Sequence, residues 1–152
     1  MIQVYEYFSQ SVSCIYHDIQ KIERMEMEKF GLKGPHAQLL LAMRRHPEGI
    51  TSAQLREICE KDKAAISRSL AELEGKGMVC RNTVNGTAYR AKLVLTEQGI
   101  AAADAVSEKA RQAVELAGTG LEDDKRKIFY QVLALIAGNL HTICKDGIQD
   151  SK

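Results

Sequence analysis

At the start of the chain the apolar side chains Ile2, Tyr5, Phe8, Val12, Ile15, Ile19, Ile22 and Met25 recur at intervals of three and four. That spacing puts them on one side of an α-helix and predicts a helix from Ile2 to about Phe30, ended near Gly31. A helix cannot cover its own apolar stripe, and this one outruns what a compact small domain needs. A partner helix from a second subunit is therefore expected.

Gly34-Pro35 reads as the entry to a second helix, because proline at the first helical position loses no needed hydrogen bond. Leu39, Leu40 and Met43 give it a buried side to about Arg45, and His46-Pro47-Glu48-Gly49 turns the chain. Ile50 is expected to add a very short strand. Thr51 then caps a third helix, with Gln54 at the reciprocal position and Leu55, Ile58 and Cys59 on its core side. After the link Glu60-Lys61-Asp62, the Asp62 carboxylate caps a fourth helix that Gly77 ends in the left-handed conformation. Ile66, Leu70 and Leu73 share one face of it. Helices three and four and their link make a helix-turn-helix.

The period then changes to that of strands. Met78 to Val84 and Thr87 to Leu95 flank Asn85-Gly86, a strong hairpin signal because both central residues of a type I′ turn need positive φ. A two-residue turn there sets Arg81 opposite Arg90, Val79 opposite Lys92 and Met78 opposite Leu93. Three cations then share one face, a repulsive arrangement unless an anion such as phosphate lies above them. Thr96 caps a fifth helix with Ile100, Ala103, Val106, Ala110, Val114 and Ala117 on one side, broken at Gly118-Thr119-Gly120. A sixth runs from about Glu122 to Gly147, with Ile128, Val132, Leu135, Ile136, Leu140 and Ile143 as its stripe.

Composition narrows the class. With 152 residues, 45% hydrophobic and 27% charged, the chain fits one globular domain, or one domain and an extension. No apolar run is long enough to cross a bilayer and MIQVYEYFSQ lacks the features of a secretion signal, so a cytoplasmic location is expected. Cys14, Cys59, Cys80 and Cys144 form no CxxC pair, which argues for reduced thiols and against a zinc ribbon or a thioredoxin-like motif. No cofactor and no catalysis are expected, because His17, His36, His46 and His141 stand beside no nucleophile motif and there is no phosphate-binding glycine loop.

Charge adds a location. From Lys61 to Lys92, seven cations (Lys61, Lys63, Arg68, Lys76, Arg81, Arg90, Lys92) face three acids (Asp62, Glu72, Glu74), a net +4 in a chain whose total is +1. The outward side of helix four, Lys63, Ala64, Ser67, Arg68 and Ala71, is small and basic. Small residues permit close approach, and arginine supplies a fork of donors for phosphate or a guanine edge. That is the character of a recognition helix.

Two blocks carry a family resemblance. DKAAISRSLAELEGKGMVCR is similar to DKSTVSRxVDxLExKGLVxR, and RAKLVLTEQG to RxxxLxLTxxG, both from the MarR family of winged-helix transcriptional regulators. The resemblance covers nearly the whole chain. It implies a mainly α fold with a small β-hairpin: a winged helix-turn-helix DNA-binding lobe at 33–95, flanked by dimerisation helices at 1–32 and 96–152. It further implies an obligate homodimer that binds a pseudo-palindromic double-stranded operator and acts as a repressor. Lys63, Ala64, Ser67 and Arg68 fall at the family's DNA-facing positions, and Arg81, Arg90 and Lys92 extend that surface. The aspartate of the family's wing motif is replaced by Ala88, so a plain phosphate contact is expected of Arg90. A small aromatic or phenolic effector would bind between the dimerisation helices and the DNA-binding lobe, where Tyr16, His17, His36 and Arg44 are the candidate contacts.

Alternatives remain at this level. Some family members sense peroxides through a cysteine in the first helix, so Cys14 is a redox candidate, although buried thiols are usually inert. Cys14 with His17, and His141 with Cys144, each share a helical face and would together suit a soft metal if the terminal helices meet in a dimer, but accidental pairs are the simpler reading and no metal is expected. Winged helices also dock on proteins, and near-neutral charge suits that role.

Overall fold

Six helices and one two-stranded antiparallel sheet make up the described residues, 2–82 and 91–148 of the computed structural model. The helices are α1 (Ile2–Glu28), α2 (Gly34–Arg44), α3 (Ser52–Cys59), α4 (Lys63–Gly75), α5 (Glu97–Ala117) and α6 (Asp123–Asp146), and the strands β1 (Val79–Asn82) and β2 (Lys92–Leu95) lie between α4 and α5. The mainly helical class with a small hairpin read from the sequence is the fold observed. It is that of a winged helix.

The helix ends follow from local chemistry. Thr51 Oγ1 accepts from the Gln54 backbone N–H at 3.2 Å while Gln54 Oε1 accepts from the Thr51 N–H at 2.9 Å, a reciprocal pair that starts α3. Asp62 Oδ1 accepts from Ala65 N at 2.8 Å and starts α4. Gly77, at φ +70°, takes the left-handed conformation that stops it. Thr96 serves two helices, since its hydroxyl accepts from Gly99 N at 3.1 Å and donates to the Gly77 carbonyl at 2.6 Å. The start of α5 is thereby fixed to the end of α4. A Cβ on Gly99 would collide with the Met78 carbonyl, so only glycine lets the two segments approach this closely.

The chain divides into two compact units, 1–113 and 114–152. In the first, Met27, Leu32, Leu39, Leu40, Met43, Ile50, Leu55, Ile66, Leu70, Leu73, Leu93 and Val106 form one buried cluster. The inner positions expected of α2 and α4 are all in it. Ile58 is not: it stays 47% exposed and lines a neighbouring groove, while Leu55 and half-buried Cys59 take the core side of α3. Apolar side chains of α1 also remain outside, with Tyr5, Val12, Ile15 and Met25 between 44% and 70% exposed.

In the second unit the Gly118 carbonyl accepts from Arg126 Nη2 at 2.8 Å, closing the turn before α6. None of the described residues of α6 is buried. Its stripe of Ile128, Val132, Leu135, Leu140 and Ile143 is 42–63% exposed.

The sheet corrects the sequence reading. Val79 pairs with Leu95, Cys80 with Val94, Arg81 with Leu93 and Asn82 with Lys92, so Arg81 does not face Arg90, nor Val79 Lys92. The register differs by three residues from the one expected, and an odd shift turns every side chain of a strand to the other face. The expected register would have aligned buried Val79 with a lysine. The observed one aligns it with Leu95 and brings Leu93 under Ile50, whose N–H and C=O exchange hydrogen bonds with Leu93 at 3.0 and 2.8 Å. Core burial sets the register. Arg81 and Lys92 consequently lie on opposite faces of the sheet, while Asn85-Gly86 and Arg90 fall outside the described residues.

Candidate nucleic-acid interface

The placement of α4 follows from its two sides. Ile66, Leu70 and Leu73 are buried in the core, and Lys63, Ala64, Ser67, Arg68 and Ala71 are all exposed. The cap orders the turn that carries Lys63 and Ala64. The Ala65 N–H bonded to the Asp62 carboxylate holds its pKa below the usual carboxylate range, so the cap stays ionised at neutral pH. Four of the seven expected DNA-facing residues thus lie on one exposed helix face.

Arg81 and Lys92 add exposed cations on opposite faces of the sheet. The Arg81 guanidinium is steadied by Glu74, with Nε 2.7 Å from Oε1. Lys92 lies over Gly49, where a Cβ would meet its side chain, so the positive φ of +97° at Gly49 serves both the turn and the strand above it. Arg90 lies outside the described residues, as does Ala88.

The link between α3 and α4 has a feature that periodicity does not reveal. Glu60 adopts φ +50°, the only positive value at a non-glycine among the described residues, and its N–H returns to the Glu57 carbonyl. Lys61 N then bonds Arg56 O at 3.2 Å, which turns the chain from one helix into the next.

Two adjoining grooves run between α1 and α2 toward this link. One, of about 470 Å³, is lined by His17, Lys21, Arg24, Gly34, Pro35 and Lys61 among others. The other, of about 320 Å³, is lined by Tyr16, Gln38, Arg45, Ile58, Cys59 and Glu60 among others. Gln20, Glu23 and Gln38 border both. The Tyr16 hydroxyl accepts from Gln20 Nε2 at 2.8 Å and from Gln38 Nε2 at 3.3 Å, and burial pushes the pKa of Glu23 up.

The four residues expected to contact an effector do not share one cavity. Tyr16 and His17 border the two grooves. His36 is buried beneath α4, and Arg44 pairs with Asp104 through Nε–Oδ1 and Nη2–Oδ2 at 2.7 and 3.3 Å. Cys14 and Cys144 are exposed free thiols, and Cys59 is half-buried with its pKa raised by desolvation. No group of three or more His, Cys, Asp or Glu side chains suited to a metal occurs among the described residues, and no described helix is long and apolar enough to cross a membrane.

Comparison with known proteins agrees with this geometry. Residues 30–86 match the MarR family model. A curated relative, the uncharacterised HTH-type transcriptional regulator YdgJ of Bacillus subtilis (strain 168), is 26% identical over 104 residues. That match spans 68% of this chain and 63% of YdgJ, less than two thirds of its length. Among solved structures, the MarR family transcription regulator SP03579 has a TM-score of 0.81 at 20% identity, covering 95% of this chain and 94% of that one. A MarR family regulator from Listeria monocytogenes, solved in complex with 26mer DNA, has a TM-score of 0.76 at 18% identity, covering 94% and 97%. The family model falls on the helix-turn-helix lobe and the fold is shared along nearly the whole length, so this chain is similar to the MarR family of winged-helix transcription regulators.

Proposed function

We propose that this chain acts as a cytoplasmic homodimeric repressor that binds a pseudo-palindromic double-stranded operator and is tuned by a small aromatic or phenolic effector. The observation that carries the reading is the exposed face of α4, where Lys63, Ala64, Ser67 and Arg68 stand on a helix held from behind by Ile66, Leu70 and Leu73. Small residues let that face enter a major groove, Arg68 reads a base edge, and Lys63 meets phosphate. Arg81, Lys92 and Arg90 add phosphate contacts. The DNA held by the Listeria monocytogenes relative supports the same use of the fold.

In this reading residues 33–95 are the DNA-binding lobe and 1–32 and 96–152 supply the dimer. The apolar side chains exposed along α1 and α6 support it, because a lone chain gains nothing from leaving them in water. An effector would lie in the grooves at Tyr16 and His17. Both grooves reach the α3–α4 link, at Lys61 in one and Glu60 in the other, so an occupant would press on the turn that aims α4. His36 and Arg44 would act from behind rather than touch it. The test is selection from a random duplex library by the full-length protein: enrichment of an inverted repeat supports the reading, and a pool that stays random overturns it.

A further inference from the structure

Glu72 belongs to α4 but is held by the start of α2. Its Oε2 lies 3.0 Å from Lys33 Nζ and 3.4 Å from His36 Nε2, and its Oε1 accepts from Lys33 Nζ at 3.2 Å. His36, 2% exposed, is the only buried polar or charged side chain among the described residues. The rest of the α2 inner face is Ala37, Leu39, Leu40, Ala42 and Met43, so nothing in the core's apolar packing asks for an imidazole here.

The geometry gives that imidazole a defined task. Its Nδ1 accepts the Lys33 backbone N–H at 3.0 Å, which leaves the ring proton on Nε2, pointing at Glu72. Burial lowers the pKa of His36 and favours this neutral form. The groups that act on it electrostatically are Glu72, Lys33 and Lys76.

Glu72 follows Arg68 by four residues, so it lies one turn along α4 and close to the same side. The apolar contacts of Ile66, Leu70 and Leu73 hold α4 against the core but are not directional. A carboxylate fixed by two donors from another helix is directional. We propose that the Lys33–Glu72–His36 bridge sets the rotation of α4 about its axis, making Glu72 and His36 positioning residues for sequence readout by Arg68. The inference rests on the DNA-reading role of α4 proposed above.

Charge makes the test sensitive to sign. Glu72→Gln removes a negative charge close to the DNA-facing side, so if Glu72 were an ordinary solvated acid its loss would leave affinity unchanged or tighten it for every sequence alike. A positioning role gives the opposite for the preferred sequence. The probes are the duplex that the wild-type protein enriches from a random library and an unrelated duplex of equal length, titrated at one salt concentration. Glu72→Gln is expected to lose roughly tenfold or more on the enriched duplex, with no loss on the unrelated one and an unchanged melting temperature. Lys33→Arg, which keeps donor and charge, is expected to retain the wild-type ratio between the two duplexes. An unchanged ratio in Glu72→Gln overturns the bridge's role while leaving DNA binding intact, and an equal loss on both duplexes with a lowered melting temperature overturns it as a mere folding effect. If the wild type enriches no sequence, the DNA-reading role fails and the bridge's part in it fails too.

Discussion

Arg81 Nε lies 2.7 Å from Glu74 Oε1, which ties the cation of the first strand to the last turn of α4. The pair is exposed, so it contributes little to stability, and its consequence is where the guanidinium is held. Arg81 is held at Glu74 on α4, and its partner across the sheet is Leu93.

From this placement, Arg81→Ala should weaken binding to all DNA sequences alike and reduce the salt slope by about one, while Arg68→Ala should cost about 1 to 3 kcal/mol on the preferred site and relax specificity there. Anisotropy titrations of both variants against specific and unrelated duplexes check this. Wild-type binding by both would mean that the DNA face lies elsewhere.

Two glycines should respond in opposite directions. Gly99→Ala drives a Cβ into the Met78 carbonyl, and since backbone cannot swing aside as a side chain can, a loss of about 3 kcal/mol is expected. A methyl group on Gly75, at the end of α4, would meet nothing within 4 Å, so Gly75→Ala should be neutral or gain up to about 1 kcal/mol from helix propensity. Urea unfolding of the two variants measures both.

Stability should depend on pH through His36. Its pKa is lowered from 6.5, mainly by burial, with Glu72 pulling the other way and Lys33 and Lys76 adding to the drop. The folded protein therefore prefers the neutral ring. Its contribution is fully present above 6.5 and is lost as pH falls through the lowered value, because the unfolded chain takes up the proton first. Melting temperatures from about pH 8 to pH 5 should decline more steeply below neutrality in the wild type than in His36→Gln, and parallel curves would remove His36 as the cause.

Leu135, 63% exposed on α6, tests the dimer. A carboxylate in an apolar interface has no partner and must be desolvated, so Leu135→Glu should shift sedimentation toward the mass of a single chain without unfolding the first unit. An unchanged mass would take α6 out of the interface.

Local chemistry was the most legible part of the sequence. Thr51, Asp62, Thr96, Gly77 and Gly147 end their helices as their side chains or φ preferences require, since a cap involves only residues a turn apart. The exposed side of α4 was legible for the same reason, as the outside of a helix whose inside is plain. The strand register was not, because Asn85-Gly86 suggests a turn while the burial of Val79 and Leu93 decides the pairing. Contacts such as Lys33 with Glu72 and Arg44 with Asp104 join residues 39 and 60 positions apart, and nothing short of the packed core brings them together.

The most direct test of the proposed role is the salt dependence of binding to a duplex. A dimer presenting Lys63, Arg68, Arg81 and Lys92 twice should release counterions from several phosphates, so between about 50 and 200 mM salt the affinity should fall linearly on a log–log plot by roughly a thousandfold or more. An affinity that does not move with salt would overturn DNA binding and point instead to a protein partner held by apolar contact.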